Sequence, residues 1–336
     1  MSSEKTDQGS PQLITCSICN HNCRLIENQT GICGVRRRKG TKVESLIYGR
    51  VVAENVDPIE KKPVFHVLPG SLSYSIATPG CNFRCLHCQN SSISQVDGAG
   101  DLSKAGVYRA PETIVSRAES LGCRSISYTY VEPTVFFEFA LDCCRIADQR
   151  GIKNIFVSNG YMSTSTLIQL APVVHAINID LKSFRDSFYK KVCGARLEPV
   201  LNNIKHFVSL GVWVEVTTLI IPGLNDTEKE LHDIAEFLCG VDENIPWHVS
   251  GFYPSYKMTS TKPTPPATLA RAFEIGKSSG LQHVYTGNRP GSGGENSYCA
   301  SCGMELIVRH GFRVRANKLV AGCCPNCQSN LPGVWS

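Results

Sequence analysis

The chain has 336 residues, of which 42% are hydrophobic and 19% charged, and its net charge is +5. This composition is typical of a globular protein with one large domain of roughly 200–250 residues and smaller attachments. The charge argues against a nucleic-acid binder, which usually carries a stronger basic bias. No stretch approaches the ~18–20 continuous apolar residues of a membrane span.

The chain contains 17 cysteines, and 12 of them fall in three compact groups, at 16–33, 81–88 and 299–327. The polar start, MSSEKTDQGSPQ, lacks the apolar core of a signal peptide, which predicts a cytoplasmic and reducing location. In such a compartment, grouped cysteines indicate metal binding rather than disulfides.

We expect four segments along the chain. Residues 1–12 are predicted to be disordered, and residues 13–70 form a cysteine-rich N-terminal segment. Residues 71–290 form the main domain. A Gly-rich linker, GSGG, then leads into a C-terminal zinc-ribbon or rubredoxin-like module at 291–336.

The main domain alternates between strand and helix patterns. The expected strands are SLSYSIAT, SISYTYV, NIFVSN, AINIDLKS, VWVEVTTLII, WHVSGFY and HVYTGN. The expected helices lie near 111–121, 134–150, 163–174, 199–210, 227–239 and 266–279, and Thr227 with Glu230 forms a capping-box pattern in the fifth. Six or seven strand–helix units predict an α/β fold with a partial or full TIM-like (β/α) barrel.

The run RRRK at Arg36 to Lys39 is the densest basic cluster in the chain. We expect a solvated loop there, with a docking patch for an acidic redox partner as the alternative.

The C-terminal cysteines form two C-x-x-C knuckles separated by 21 residues that suit a short β-hairpin. Paired knuckles at about this spacing predict a four-thiolate zinc site, with rubredoxin-type iron as the alternative. A module of about 40 residues also needs such a staple to fold. The predicted ligands are Cys299, Cys302, Cys324 and Cys327, and Cys323 is left out.

The N-terminal group also offers four cysteines, and the surrounding residues are polar. Such a group can close a zinc site or hold an iron–sulfur cluster, and both possibilities remain open here. His21 lies inside the group and could replace one thiolate. The predicted ligands are Cys16, Cys19, Cys23 and Cys33.

The central group, Cys81, Cys85 and Cys88, follows the first barrel strand and has no obvious fourth cysteine. The carboxyl ends of barrel strands are where this architecture places its chemistry. A cluster held by three thiolates leaves one iron open, just as a catalytic zinc keeps an open position. The remaining cysteines, Cys123, Cys143, Cys144, Cys193 and Cys239, lie in apolar contexts and are expected to pack in the core.

The loop TPGCNFRCLHCQN resembles the cluster loop of the radical S-adenosylmethionine (SAM) enzymes. The resemblance implies a [4Fe–4S] cluster on the three cysteines and SAM chelating the open iron. Glu132 in SYTYVEPT stands where the family has a G-G-E-P-like motif, although its glycines are absent here. The resemblance implies that SAM is bound by Glu132, Ser158, Asn159, Asp180, Lys182 and His248.

From about residue 15 to residue 335 the chain is similar to the radical SAM member of the AmmeMemoRadiSam system, a relative of pyruvate formate-lyase activating enzymes. The phrases CSICNHNCRL, YTYVEPTVFFE, TTLIIPGLND and HVSGFYPSYKM carry this similarity, together with the C-terminal knuckles. It implies Memo-like and AMMECR1-like partner proteins, and a ferredoxin or flavodoxin is expected to supply the electron.

The expected reaction is reductive cleavage of SAM to a 5′-deoxyadenosyl radical that abstracts a substrate hydrogen. The favoured substrate is a small molecule or a protein undergoing maturation. The alternative is a glycyl-radical activase acting on a backbone glycine. A non-enzymatic zinc-ribbon protein that binds nucleic acid would leave the central loop, Glu132 and the IDLK strand unexplained.

Overall fold

A computed structural model describes residues 12–96, 100–289 and 293–336. Most of the tail predicted to be disordered, residues 1–11, lies outside these ranges, as does the first part of the Gly-rich linker, residues 290–292. No helix within the described ranges combines the length and apolarity needed to cross a membrane.

The N-terminal segment is built from short strands. They are β1 (Ile14–Thr15), β2 (Arg24–Leu25), β3 (Arg36–Lys39), β4 (Lys42–Ser45), β5 (Arg50–Val51) and β6 (Ala53–Pro58). The first four pair as two antiparallel hairpins, and β6 joins the edge of the main sheet.

The basic run forms strand β3, so the expectation of a solvated loop was wrong. Arg36 and Arg38 are buried, whereas Arg37 and Lys39 alternate outward. The Arg36 guanidinium donates to both carboxylate oxygens of Glu138. A strand turns alternate side chains to opposite faces, so half of this basic run is buried and cannot form a docking patch.

The main domain has a sheet of seven parallel strands in sequential order, as predicted. From β7 onward the strands are β7 (Leu72–Ala77), β8 (Val107–Tyr108), β9 (Ser125–Tyr128), β10 (Lys153–Ser158), β11 (Ala176–Asp180), β12 (Trp213–Ile220), β13 (Trp247–Gly251) and β14 (Val284–Gly287). Strand β8 pairs with β5 outside this sheet. The order runs from β14 through β13, β12, β11, β10, β9 and β7 to the antiparallel β6. Among the described strands, β6 and β14 form the two edges of the sheet and do not pair with each other. The sheet is therefore not closed, and the barrel is a partial one.

Helices cover the outer face of the sheet, and all six predicted helices are present. They are α1 (Ser91–Ser94), α2 (Pro111–Ser120), α3 (Phe137–Gln149), α4 (Thr164–Leu170), α5 (Asp186–Phe188), α6 (Glu198–Ser209), α7 (Glu228–Val241) and α8 (Pro266–Ser278). Only half of the predicted capping box forms. Thr227 accepts from the backbone amide of Glu230, but the Glu230 carboxylate binds Phe184 N and Arg185 Nε instead of returning to Thr227.

Residues 59–70, here called the floor segment, close the amino end of the barrel. Its apolar side chains pack against Ile155 and Ala176, at the starts of β10 and β11. The backbone amides of Phe65 and His66 donate to the Glu215 carboxylate near the start of β12. The barrel is therefore sealed at its amino end, which leaves the carboxyl end for ligand entry.

The C-terminal module contains β15 (Ser297–Tyr298), β16 (Glu305–His310) and β17 (Arg313–Asn317), which confirms the predicted hairpin. It packs under the floor segment. Buried Arg309 donates to the carbonyl oxygen of Phe65 at 2.7 Å, and the Val334 amide donates to the carbonyl of His66 at 2.8 Å. The module therefore lies at the end of the barrel opposite the loop that carries Cys81.

Alanine substitutions at two helix glycines should have opposite effects on the stability of the protein. A Cβ on Gly276 in α8 would lie 2.9 Å from the Trp247 ring and 2.8 Å from Val284, whereas a Cβ on Gly240 in α7 meets nothing within 4 Å. We expect Gly276→Ala to destabilise the protein by about 1–3 kcal/mol through overpacking. The control, Gly240→Ala, should stabilise it by about 0.5–1 kcal/mol through helix propensity. Denaturant titration measures both, and stabilisation by Gly276→Ala would contradict the close packing.

Candidate active site

The three central cysteines lie in the loop that leaves the carboxyl end of β7. Cys85 is buried, and Cys81 and Cys88 are half-buried. The Cys81 sulfur accepts from the backbone amide of Phe83, and the Cys88 sulfur lies 3.1 Å from the Ser94 hydroxyl. The loop thus presents three thiols at the open end of the barrel, in the place that the strand order predicts.

Asp180 and Lys182 lie beside this loop. Lys182 Nζ donates to Asp180 Oδ2 at 2.9 Å, and the ammonium lies close to the thiols of Cys85 and Cys193. Burial alone would lower the pKa of Lys182, but Asp180, together with Cys85 and Cys193 in their thiolate form, outweighs it and raises that pKa. The carboxyl end of β11 therefore brings a fixed positive charge to the cysteine loop.

Glu132 ties the ends of β9 and β10 together. Its Oε1 accepts from Thr134 N and Ser158 Oγ, and its Oε2 accepts from Asn159 N at 2.7 Å. Burial raises the pKa of Glu132, while these donors act in the opposite direction. Glu132, Ser158 and Asn159 were predicted as separate SAM contacts, and the structure brings them together as one hydrogen-bonded group.

His248 lies inside the barrel and is almost fully buried. Its Nε2 donates to Glu215 Oε2 at 2.6 Å, and its ring stacks on Tyr285 with centroids 5.2 Å apart. Glu215 is the residue that also holds the floor segment, at Phe65 and His66. The structure therefore joins His248 to the barrel floor through its ring nitrogen.

The inner face of the sheet is polar. The hydroxyls of Ser73 and Ser127 lie 2.6 Å apart, and Thr217 donates to Asn178. Near the edge strand, Asp57 accepts from buried Lys62 at 2.5 Å and from the Tyr130 hydroxyl. These side chains line the space between the cysteine loop and the floor.

Sequence reasoning missed several residues at this site. Asn82 lies between two cysteine groups, and Cys193, expected only to pack in the core, places its thiol against that of Cys85. Lys62 and Asp57 come from the segment before the barrel. A lysine next to an X-Pro step and a cysteine in an apolar run carry no distinctive pattern, so only the fold could reveal them.

The N-terminal cysteines lie at the carboxyl end of the barrel, next to the central loop. Cys16 and Cys33 are close enough to interact electrostatically, and each also interacts with Cys19. Cys19 pairs with Met162 in the loop after β10. The Nε2 of His21 is bound to the carbonyl oxygen of Asn82 at 2.8 Å, so that nitrogen is not free to bind a metal.

The C-terminal cysteines converge at single-ion spacing. The sulfurs of Cys299 and Cys327 are 3.5 Å apart, and those of Cys302 and Cys324 are 3.7 Å apart. Four thiolates at about 2.3 Å from one tetrahedral zinc would be separated by about 3.8 Å. Among the residues that the structure describes, this is the one group of three or more metal-binding side chains whose ligand atoms all lie within 4.8 Å.

Comparison with known proteins agrees with this architecture. The profile of the Radical SAM superfamily matches residues 75–238. An uncharacterised protein of Methanocaldococcus jannaschii is 44% identical over 93% of this chain and 91% of its own length. A (2S)-3-sulfopropanediol sulfolyase activating enzyme of Bilophila wadsworthia is 34% identical, but over only 30% of this chain and 34% of that protein.

Among solved structures, Streptococcus suis SuiB bound to S-adenosylmethionine has a TM-score of 0.52 with 16% identity. The match covers 68% of this chain and 52% of that one, and it supports the fold. The chain belongs to the radical SAM superfamily and is a SAM-cleaving enzyme of the oxidoreductase type. Membership implies a [4Fe–4S] cluster and SAM as cofactors.

The residues present fit this cofactor pair. A single closed ion would require its ligand atoms to lie within about 4.8 Å of one another. The three sulfurs of the central loop do not meet this condition. A cluster of several irons holds its thiolates farther apart. The hydroxyl of buried Thr78, three residues before Cys81, has no hydrogen-bond partner within the described part of the chain. The loop therefore suits a polynuclear cluster and leaves a polar atom available to a ligand.

Proposed function

We propose that Cys81, Cys85 and Cys88 hold the [4Fe–4S] cluster at which this enzyme cleaves SAM. The observation that carries this assignment is the placement of three thiols in the loop that leaves β7, at the open carboxyl end of the barrel. When bound, the reduced cluster supplies one electron that splits SAM into methionine and a 5′-deoxyadenosyl radical, which abstracts hydrogen from a substrate.

The chain's own residues orient the cofactors and exclude water. Lys182, held by Asp180, places a positive charge beside Cys85, where it favours a thiolate and an anionic ligand group. Glu132 fixes the loop ends that carry Ser158 and Asn159, so we assign it a positioning role for SAM. The floor segment closes the opposite end, which protects a reactive radical from solvent.

Anaerobically reconstituted protein tests this proposal. With dithionite as the electron source, we expect SAM to be converted to methionine and 5′-deoxyadenosine, measured by chromatography and mass spectrometry. Protein that carries a full iron complement but produces no 5′-deoxyadenosine would refute the assignment.

We infer that the substrate is a small polar molecule or a modified partner protein. The polar inner face, with Lys62, Asp57 and Tyr130 below the cysteine loop, supports a polar substrate group inside the barrel. The alternative, a glycyl-radical activase, is supported by the similarity to an activating enzyme. Turnover of SAM with Memo-like and AMMECR1-like proteins present, followed by mass spectrometry of proteins and metabolites, distinguishes them. An altered metabolite supports the first, and a radical on a backbone glycine supports the second.

Lys62 should titrate abnormally. Burial lowers the pKa of Lys62 to about 8, although the nearby Asp57 carboxylate acts in the opposite direction. In cluster-free protein with ¹³C-labelled lysine, we expect one NMR signal to titrate near pH 8. That signal should be absent in Lys62→Met and present in Lys61→Met, since Lys61 binds the same carboxylate from a more exposed position. Titration of every lysine above pH 10 would contradict the buried pair.

The electron donor is proposed to be a ferredoxin or flavodoxin, as expected for relatives of the activating enzymes. A non-enzymatic zinc-ribbon function in nucleic-acid binding receives no support from the barrel, because it assigns no role to the central loop. Salt-dependent nucleic-acid binding without SAM cleavage would favour it.

The C-terminal module is proposed to bind one zinc ion through Cys299, Cys302, Cys324 and Cys327. We expect elemental analysis of purified protein to give about one zinc per chain, and Cys324→Ser to lose it. Because the module packs under the floor segment, zinc loss should also lower thermal stability. Cys323→Ser is the matched control and should keep the metal. If elemental analysis finds iron at these four cysteines instead of zinc, the zinc assignment is wrong and the site is an iron site.

A further inference from the structure

The N-terminal cysteines, for which zinc and an iron–sulfur cluster were both possible, lie in direct contact with the central loop. The side-chain amide of Asn82, next to Cys81 in the chain, lies against the Cys19 thiol. Its Nδ2 is buried and makes no regular hydrogen bond within the described residues, while its Oδ1 accepts from Asn159. Asn82 therefore connects the two cysteine groups, with its backbone next to Cys81 and its side chain against Cys19.

Two further contacts hold the groups together. The Arg84 guanidinium donates to the carbonyl of Cys81 at 2.8 Å and also to the carbonyl of Ile32, next to Cys33. Gly80, with a φ of +95°, packs so closely that an added Cβ would lie 2.5 Å from Val35 Cγ1. The central loop thus contacts the N-terminal group on both sides of Cys81.

The two terminal cysteine groups differ in spacing. In the C-terminal group, two pairs of sulfurs are 3.5 and 3.7 Å apart, which is the separation that one tetrahedral ion requires. The N-terminal thiols interact with one another, yet no three of them come within 4.8 Å, as far as the described residues show. The N-terminal group is therefore not preformed around a single ion in the way that the C-terminal group is.

Their positions differ as well. The C-terminal module lies under the barrel floor, remote from the proposed chemistry, which suits a structural ion. The N-terminal group lies at the open end, beside the loop that must receive electrons. A basic side chain, Arg36, also lies against Cys16 and would offset the negative charge of a thiolate-bound cluster.

We propose that Cys16, Cys19, Cys23 and Cys33 hold a second iron–sulfur cluster that passes single electrons to the SAM-cleaving cluster past Asn82. This proposal rests on the proposed function. One electron from a low-potential ferredoxin or flavodoxin reduces the second cluster, which is reoxidised when it reduces the central cluster. Asn82 is a positioning residue: its unpartnered amide lies against the Cys19 thiol, and a hydrogen bond from it to a cluster-bound sulfur would raise the reduction potential of the cluster.

Iron counting tests the cluster itself. Reconstituted wild-type protein should bind about twice the iron of the Cys81→Ala/Cys85→Ala/Cys88→Ala variant, and this variant should remain brown. The reciprocal variant, Cys19→Ala/Cys33→Ala, should lose a similar amount of iron relative to wild-type protein. It provides the same test if the central-loop variant does not fold. Zinc instead of iron in the central-loop variant would overturn the proposal, even if wild-type protein cleaves SAM. Iron retention there without SAM cleavage by wild-type protein would instead refute the proposed function alone.

Electron paramagnetic resonance tests the contact between the clusters. Fully reduced wild-type protein should give a spectrum broadened by interaction of two spins, whereas each variant should give the spectrum of one isolated cluster. Asn82→Ala should make the reduction potential of the second cluster more negative. Asn20→Ala is the matched control, since that amide binds the backbone carbonyls of Tyr161 and Met162. A sum of two non-interacting spectra, or equal potential shifts in both variants, would overturn the relay.

Discussion

Replacing Cys85 with alanine is expected to reduce SAM cleavage by at least about 100-fold, to the background of cluster-free protein. Loss of an outer-sphere partner of a metal ligand already costs about 10–100-fold, and a three-thiolate cluster cannot spare a direct ligand. The buried Cys85 thiol also interacts with Lys182 and with the Cys193 thiol. The measurement is 5′-deoxyadenosine formed per chain with excess dithionite.

Two cysteine variants serve as controls for this result. Cys239→Ala changes a half-buried thiol in α7, remote from the loop, and should keep full activity. Cys193→Ala removes the neighbour of Cys85 without removing a proposed ligand, so iron should be retained. Activity in Cys85→Ala comparable to wild type would remove the central assignment.

Replacing Glu215 with alanine is expected to lower the free energy of unfolding by about 3–5 kcal/mol. Removing one partner of a buried charge network leaves the others unpaired, and such changes cost about this much. The carboxylate, which is fully buried, accepts from two floor amides, from Trp213 Nε1 and from His248 Nε2. Denaturant titration at pH 7 measures the effect. Glu228→Ala, at a surface carboxylate that is 70% exposed, should change it by no more than about 0.5 kcal/mol.

The same network predicts acid sensitivity. Burial would raise the pKa of Glu215, but hydrogen bonds and His248 lower it from 4.5 to about 2. A lowered carboxyl pKa contributes stability above pH 4.5 that is lost as the pH falls toward 2, here about 3 kcal/mol. Burial also lowers the pKa of His66 from 6.5 to about 4, so stability should begin to fall below pH 6.5. Glu215→Gln should retain the decline below pH 6.5, which His66 causes, and lose the decline below pH 4.5, which Glu215 causes. An unchanged loss of stability below pH 4.5 would contradict this account.

The elements of the barrel were predictable from local pattern. Strands β11 and β12 have five and eight residues in which apolar and polar side chains largely alternate, and the helices in this domain have clear periodicity. Their order then allowed only parallel pairing with right-handed crossovers. The basic run at Arg36 was misjudged because its charges suggested solvent, whereas an ion pair with Glu138, distant in sequence, allows the guanidinium to be buried.

Site residues that lie in a family-like motif could be named from the sequence, but the residues to which they form hydrogen bonds could not. Glu132 was recognised from its neighbour Pro133, yet its bonds to Ser158 and Asn159 depend on how β9 and β10 end in space. His248 was recognised from its strand, but its partner Glu215 was not. Hydrogen bonds between different strands depend on register, which local pattern specifies poorly.

Sequence alone determined the superfamily resemblance, the three cysteine groups and the order of the barrel strands, because spacing and periodicity are local properties. Only the tertiary structure decided which cysteine group lies near the chemistry. The segment with Cys19 folds back over the carboxyl end, beside Asn82, while the knuckles at Cys299 and Cys324 pack under the floor. The physical reason is that contacts between residues far apart in the chain come from packing the sheet and its two ends, and no local pattern encodes which end each segment covers.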